Sequence, residues 1–221
     1  SRNFYFEILR APSEFLLTGN IKTGYMMGNK KASVIMLEYS DFQCPFCGRV
    51  QVTIRKLMDK YQESVAFGYR HFPLAFHQEA DEAAIASECA REQDKFEELH
   101  VLLYENPRAQ TLDDLKEYAR DIKIKSPAKF DQCLDSERYR GLVNQDMKDG
   151  AELGITGTPG FFVGLFDSKS GEIQSLGGGA LGVGLLDAEG APPDKVIRPD
   201  DAPQGQWDDE DLKKPGEVEA T

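Results

Sequence analysis

Apolar positions recur along this chain with two different periods, and the switches between them predict its elements. Residues 33–39 are β-branched and apolar over the length of a strand, and Gly28-Asn29-Lys30-Lys31 bounds them with turn residues. Phe46, Val50, Ile54, Leu57, Met58 and Tyr61 then recur at helical spacing, so a helix opens soon after the strand ends. A second strand is expected over 64–69, stopped by Phe72-Pro73. Helical runs follow: 79–91 is alanine-rich, and 95–104 places Phe96, Leu99, Leu102 and Leu103 on one face. The run 111–120 opens with a capping pattern, Thr111 with Asp114, and Ser126-Pro127 reads as a helix start. A last helical run, 136–153, carries Tyr139, Leu142, Val143 and Met147 inward. The aromatic stripe of these helices reads as core rather than as a cofactor box. Gly157-Thr158-Pro159-Gly160 is a tight turn before the apolar strand Phe161-Phe162-Val163, and 171–176 has the composition of a further strand. The pattern implies an α/β chain with a helical block between its strand-bearing halves.

The chemistry lies at the first switch of period. Cys44-Pro45-Phe46-Cys47 ends the strand and opens the helix, so Cys44 sits at a helix N-terminus. Unpaired backbone N–H groups and the positive end of the helix dipole stabilise an anion there. A thiolate is such an anion, and only the thiolate attacks a disulfide sulfur. Cys47 falls one turn later on the same side, close enough to close a small ring yet shielded behind the first turn. Pro45 suits the first helical position, where its missing N–H would have had no intrahelical partner. A lone C-x-x-C is also half of a zinc site. Neither Cys89, Cys133 nor the three histidines supplies a second ligand pair at ligand spacing, so the reading includes no metal.

At this point the residues resemble a family, the DsbA-like thiol-disulfide oxidoreductases, whose fold is thioredoxin-like with an inserted helical subdomain. The resemblance rests on Leu37-Glu38-Tyr39-Ser40-Asp41-Phe42-Gln43 leading into the C-P-F-C, on Tyr69-Arg70-His71-Phe72-Pro73-Leu74, on the alanine-rich stretch 80–90 and on Gly157-Thr158-Pro159-Gly160-Phe161-Phe162-Val163. It covers about residues 28–166, and two separate motifs occur in the expected order. It implies an organisation: an N-terminal extension over 1–27, thioredoxin-like halves at 28–72 and 155–176, a helical insertion over 73–154, and a tail over 177–221. It also implies roles. Cys44 attacks and Cys47 resolves. Glu38, six residues before Cys44, matches a buried acid that can relay a proton for Cys47; its bland alternative is a solvent-facing strand residue. Thr158 and Pro159 correspond to a cis-proline turn facing the dithiol that, with Pro45 and Phe46, receives an extended substrate strand. No cofactor is implied. The expected partners are cysteine-containing protein substrates and a redox protein that recycles the couple. A disulfide reductase or isomerase would use the same residues, and a non-catalytic thioredoxin-like binding module remains the reading from another class.

The remaining features bound the picture. Four cysteines form an even set that suits an oxidising compartment, and some relatives carry a second disulfide in the helical subdomain, which would be Cys89 with Cys133 here. Two buried inert thiols are the alternative. His71, His77 and His100 read as hydrogen-bonded, partly buried residues without a catalytic role. A net charge of −12 argues against nucleic acid, and −7 of it falls in residues 187–221, with 11 acidic and 4 basic side chains. No apolar run is long enough for a membrane span, and no intact signal peptide is visible. The first residue is not methionine, so either a leader has been removed or the sequence begins inside a longer gene, and the resemblance implies an extracytoplasmic location, in the periplasm or cell envelope. The stretch from Gly177 onward is rich in glycine, proline and aspartate without helical periodicity, a composition that favours disorder. The closing helix of the resemblance is not recognisable there, and an acidic extension and a shifted reading frame both fit.

Overall fold

The computed structural model describes residues 16–17, 24–29, 31–167 and 172–180; most of the expected N-terminal extension, and the tail beyond Ala180, lie outside them. The strands are β1 (Leu16–Leu17), β2 (Met26–Gly28), β3 (Val34–Ser40), β4 (Val65–His71), β5 (Gly160–Asp167) and β6 (Glu172–Ala180). The helices are α1 (Pro45–Tyr61), α2 (Ala80–Arg91), α3 (Phe96–Glu105), α4 (Leu112–Asp121), α5 (Pro127–Asp135) and α6 (Arg140–Glu152). One mixed sheet of order β1-β6-β5-β3-β4-β2 carries the molecule. β3 and β4 run parallel, as a strand-helix-strand unit through α1 requires, and β5 lies antiparallel on the other side of β3. The central strand β3, hydrogen-bonded on both edges, therefore ends inside the molecule, and α1 starts from that end. The five helices α2–α6 fall between β4 and β5.

Side chains explain why the layers close. On α1 the buried Cys47, Ile54 and Met58 share one face, with Val50 and Leu57 half-buried beside them. They join Phe67 and Tyr69 of β4 and the interior of the insertion in one cluster. The alanine-rich α2 is buried along almost its whole length, from Ala80 through Ala90, because small side chains let α3 and α5 approach it closely. Phe130 and Leu115 are fully buried from neighbouring helices, each contributing about 1.5–3 kcal/mol by leaving water. Cys89 of α2 is disulfide-bonded to Cys133 of α5, with Cα atoms 5.9 Å apart. On the other side of the sheet Ile35, Leu37, Tyr39, Ala66, Ile155 and Phe162 form a second cluster. Gly150 lets α6 lie against β3, since a Cβ there would sit 2.8 Å from the Tyr39 ring and 2.9 Å from Phe72.

Three element boundaries differ from the sequence reading. β4 runs on to His71, two residues past the expected end, because Arg70 and His71 are buried among Asp146 of α6 and Glu88 of α2. The last helix begins at Arg140 rather than near Ser136: residues 136–139 form a turn in which Glu137 takes a φ of 49°. β6 extends through Gly177-Gly178-Gly179 to Ala180, where the sequence reading had already begun the tail. Those glycines pair with Val163, Phe162 and Phe161 of β5, so sheet hydrogen bonds override a composition that disfavours a strand.

Candidate active site

The end of β3 turns into α1 through Asp41, Phe42 and Gln43, and Asp41 is the pivot of that turn. Its buried carboxylate accepts from the Gln43 N–H at 2.7 Å, from the Leu74 N–H at 2.8 Å and contacts Nδ1 of His77 at 2.7 Å. Gln43 is tied in turn to Glu79, donating to its carboxylate at 2.8 Å and accepting from its backbone N–H at 3.1 Å. The segment before the dithiol is thereby fixed to the loop between β4 and α2. Cys44 follows as the N-cap residue of α1 in extended conformation, with Pro45 at the first helical position.

Both sulfurs are free thiols in buried residues. Cys44 Sγ lies 3.4 Å from the Thr158 carbonyl oxygen, to which the thiol can donate. The Cys44 thiol is held down at about 6, first by a hydrogen bond from Cys47, then by Thr158 and the backbone N–H groups of Cys47 and Phe46, which outweigh burial. Cys47 moves the opposite way: burial, the Cys44 sulfur and the Glu38 carboxylate push it well above the usual thiol range. The two sulfurs are thus displaced in opposite directions, Cys44 toward the thiolate and Cys47 toward the thiol. Pro45 is exposed and Phe46 half-buried at the rim, with the Arg49 guanidinium 4.4 Å from the centre of the Phe46 ring. The Thr158–Pro159 peptide is cis, and both residues are buried at the entry to β5.

Glu38 is fully buried on β3, between Tyr69 of β4 and Phe161 of β5 in register. Burial lifts its carboxyl from 4.5 to about 7, opposed by hydrogen bonds from Ser40 and Gln51, with the Cys44 charge adding a smaller upward push. Gln51 Nε2 donates to both Glu38 oxygens, at 2.9 and 3.2 Å, and to the Cys47 carbonyl at 3.2 Å, so it ties the acid to the second cysteine. Ser40 Oγ donates to Glu38 at 2.9 Å and lies 2.7 Å from the Tyr104 hydroxyl, which lies 2.8 Å from that of Tyr69. The structure thus brings Glu38, Cys44, Cys47 and Thr158 to one place, while Cys89 and Cys133 sit in the helical insertion.

Gln51, Ser40, Tyr104 and Asp41 are additions to the residues singled out from sequence. Two were accessible signals: Gln51 interrupts the apolar stripe of α1 four residues after Cys47, and Ser40 shares the face of β3 with Glu38 at the two-residue period. The histidines lie apart from the sulfurs in role: His71 contacts Glu88 at 3.1 Å, His77 holds Asp41, and His100 is packed among Phe42, Tyr69, Phe96 and Tyr104, where burial pushes it down to about 3. A cavity of about 1260 Å³ lined in part by Tyr25, Arg55, Phe96 and Glu97 has neither Cys44 nor Cys47 in its lining. Among the described residues no helix is long and apolar enough to cross a membrane, and no three His, Cys, Asp or Glu side chains are grouped to hold a metal.

Comparison with known proteins agrees with this geometry. A family model described as Thioredoxin matches residues 20–169. The structure is similar to that of oxidised BdbD from Bacillus subtilis, with 26% identity and a TM-score of 0.57 over 65% of this chain and 82% of that one. It is also similar to a thioredoxin-like oxidoreductase from Silicibacter pomeroyi, with 25% identity and a TM-score of 0.59 over 65% of this chain and 83% of that one. Among curated proteins, the Na(+)/H(+) antiporter NhaA 3 of Salinispora tropica is 38% identical over 141 residues, which are 63% of this chain; the chain spans only 21% of that protein's length. A candidate protein-disulfide oxidoreductase of Rickettsia conorii is 31% identical over 159 residues, 68% of this chain and 57% of that protein. The family match over most of the chain means that the chain belongs to the thioredoxin family, and the sheet order and the thiol pair at the head of α1 agree with it.

Proposed function

We propose that the protein is a thiol-disulfide oxidoreductase that acts on cysteine-containing polypeptides, most naturally as a dithiol oxidase. The observation that carries this is the opposite displacement of the two thiols at the head of α1, Cys44 downward and Cys47 upward. In the oxidising direction a substrate thiolate attacks Cys44 Sγ of the Cys44–Cys47 disulfide. That bond breaks and Cys47 leaves, taking up a proton. A second substrate thiolate then attacks the substrate sulfur of the mixed disulfide and releases the Cys44 thiolate. Two electrons pass to the protein, and a disulfide-bearing redox partner must remove them: Cys44 attacks the partner's disulfide, and Cys47, losing its proton toward Glu38, closes the ring. A stabilised Cys44 thiolate favours the reduced form of the pair, and that makes the couple oxidising.

Three further assignments belong to this reading. The Thr158 backbone, beside Cys44 Sγ, offers an edge for an extended substrate strand, with Pro159, Pro45 and Phe46 around it. Glu38 acts as the proton acceptor for Cys47. The location is extracytoplasmic, which the Cys89–Cys133 disulfide supports because such bonds persist in oxidising compartments. The deciding experiment is alkylation of the selectively reduced protein at about pH 6, followed by peptide mapping. Rapid labelling confined to Cys44 is expected, together with oxidation of a reduced dithiol peptide by the disulfide form. Labelling of Cys44 no faster than that of an ordinary thiol would remove the basis of the assignment. A measured potential for the pair at or below that of thioredoxin, about −270 mV, would turn the direction to reductase.

A further inference from the structure

Beneath the dithiol, three hydroxyls and one carboxylate stand in line: Glu38 Oε1, Ser40 Oγ at 2.9 Å, Tyr104 OH 2.7 Å beyond it, and Tyr69 OH 2.8 Å beyond that. Each hydroxyl has a single hydrogen to give. While Glu38 is ionised, Ser40 gives its own to Glu38, so the contact with Tyr104 is made by Tyr104 donating to Ser40. The Tyr104 hydrogen is then committed, and Tyr69 must donate to Tyr104. All three hydrogens therefore point toward the carboxylate. A buried series of this kind strengthens link by link, because each donor polarises the next. A proton placed on Oε1 and directed at Ser40 would require the Ser40 hydrogen to turn away, toward Cys47, with which Ser40 also interacts.

We propose that this hydroxyl series holds Glu38 in its carboxylate form beneath Cys47, and that Tyr104, carried by the helical insertion, is a positioning residue for the proton step at the second cysteine. The inference rests on the proton-accepting role given to Glu38 above. It adds a specific dependence: a residue 66 positions from Glu38 in sequence, on α3, sets the pH at which Cys47 can be deprotonated. The groups that face Glu38 are Cys44 and Cys47 at the start of α1, Gln51 one turn on, Tyr69 of β4 and Tyr104 of α3, while β5 opposes it with Phe161. Burial favours the neutral acid, and the Ser40 hydrogen bond is the largest influence against it. Both tyrosines are pushed well above their ordinary range by burial, so they keep their hydrogens and remain donors throughout the working pH range. The Tyr104 ring is held independently of its hydroxyl, 5.0 Å from Phe42 and 4.8 Å from His100 between ring centres.

Tyr104→Phe keeps that ring and removes one link. Glu38 is followed by carbon-13 NMR of the labelled carboxyl during a pH titration, and Cys47 function by the rate at which reduced protein, mixed with oxidised glutathione, resolves its Cys44 mixed disulfide. The expected result is a Glu38 midpoint displaced to higher pH and resolution slowed about two- to tenfold below that midpoint, converging with wild type above it. Alkylation of Cys44 should be nearly unchanged. Ser40→Ala should shift the midpoint further, and Tyr69→Phe, one link more remote, less; these two also carry the test if Tyr104→Phe fails to fold. An unmoved Glu38 midpoint in Tyr104→Phe and Ser40→Ala overturns the proposal, as does a uniform loss of rate at every pH. Normal resolution in Glu38→Gln would instead refute the role of Glu38, which the carboxyl titration reports separately.

Discussion

Replacing Glu38 by glutamine should make the protein more stable and slower, and the stability gain should appear only as pH rises. Glu38 is fully buried and its carboxyl is lifted from 4.5 to about 7, with burial as the main cause. An acid whose folded-state pKa is raised is neutral in the folded protein at a pH where the unfolded chain is already ionised. Below about pH 4.5 both states hold the proton and there is no penalty. Between about 4.5 and 7 the penalty grows by up to about 1.4 kcal/mol per pH unit, and above 7 it is constant. The interval corresponds to about 3 kcal/mol. Glutamine has the same outline and can still accept from Ser40 and Gln51, but its NH₂ group has to find an acceptor, which offsets part of the gain. The expected ΔΔG is therefore near zero or slightly negative at pH 4.5, rising to about 2 kcal/mol of stabilisation at pH 8. Urea unfolding of the oxidised protein at the two pH values measures it. The oxidised form suits the assay because the Cys44 charge, absent there, is the smallest of the causes acting on Glu38. A variant-minus-wild-type difference that is the same at pH 4.5 and 8 would refute the reasoning, since no other group changes identity in the comparison.

The remaining expectations concern the sulfurs. Cys44→Ser should abolish disulfide exchange while Cys47→Ser accumulates mixed disulfides with substrates, visible as adducts lost on reduction; adducts in Cys44→Ser alone would reverse the roles. Phe46→His places a donor and a cationic group beside Cys44, so its thiol should titrate lower and the couple become more oxidising, toward the strong-oxidant end near −120 mV; equilibration against glutathione reads the sign. Replacing both Cys89 and Cys133 by alanine opens a crosslink with a sequence separation of 44, for which chain entropy gives a loss of about 4 kcal/mol. Chemical denaturation should show a loss of about 2–4 kcal/mol with unchanged Cys44 alkylation, and a changed alkylation rate would mean that the insertion bond reaches the active site.

Much of the fold was legible because its signals are local. β3 and the opening of α1 follow from a β-branched run that gives way to helical spacing at Pro45, and α4 follows from the Thr111–Asp114 capping box, which forms as read. The departures come where distant chain supplies the reason. Arg70 and His71 look like the polar end of a strand, yet β4 carries them into the interior because Glu88 and Asp146, from two helices not yet reached in sequence, are there to meet them. The glycines of β6 show the complementary limit: with no side-chain preference to read, their conformation is set by the exposed edge of β5.

The same division runs through the site. Cys44 and Cys47 could be read from four consecutive residues because the helix N-terminus that activates a thiol is a backbone feature, fixed by where α1 begins. Thr158 and Pro159 were legible only through resemblance, since 114 residues separate Thr158 from the Cys44 sulfur it faces. Glu38 was ambiguous between a buried acid and an edge residue, and sequence has no local sign for that choice; its burial depends on β3 being paired on both sides, with Tyr69 and Phe161 as neighbours. Ser40 and Gln51 carried weak signals of period. Tyr104 carried none, because on α3 it reads as one more aromatic of a core-facing helix, and only the meeting of its hydroxyl with Ser40 distinguishes it. A buried charge is tolerated where its hydrogen-bond partners converge from several elements. Here they come from β3 itself, α1 and, through Ser40, α3 and β4. The insertion thus reaches the buried Glu38 through Tyr104 and Ser40, and the residues that make this connection are those whose placement depends most on tertiary structure and least on local sequence.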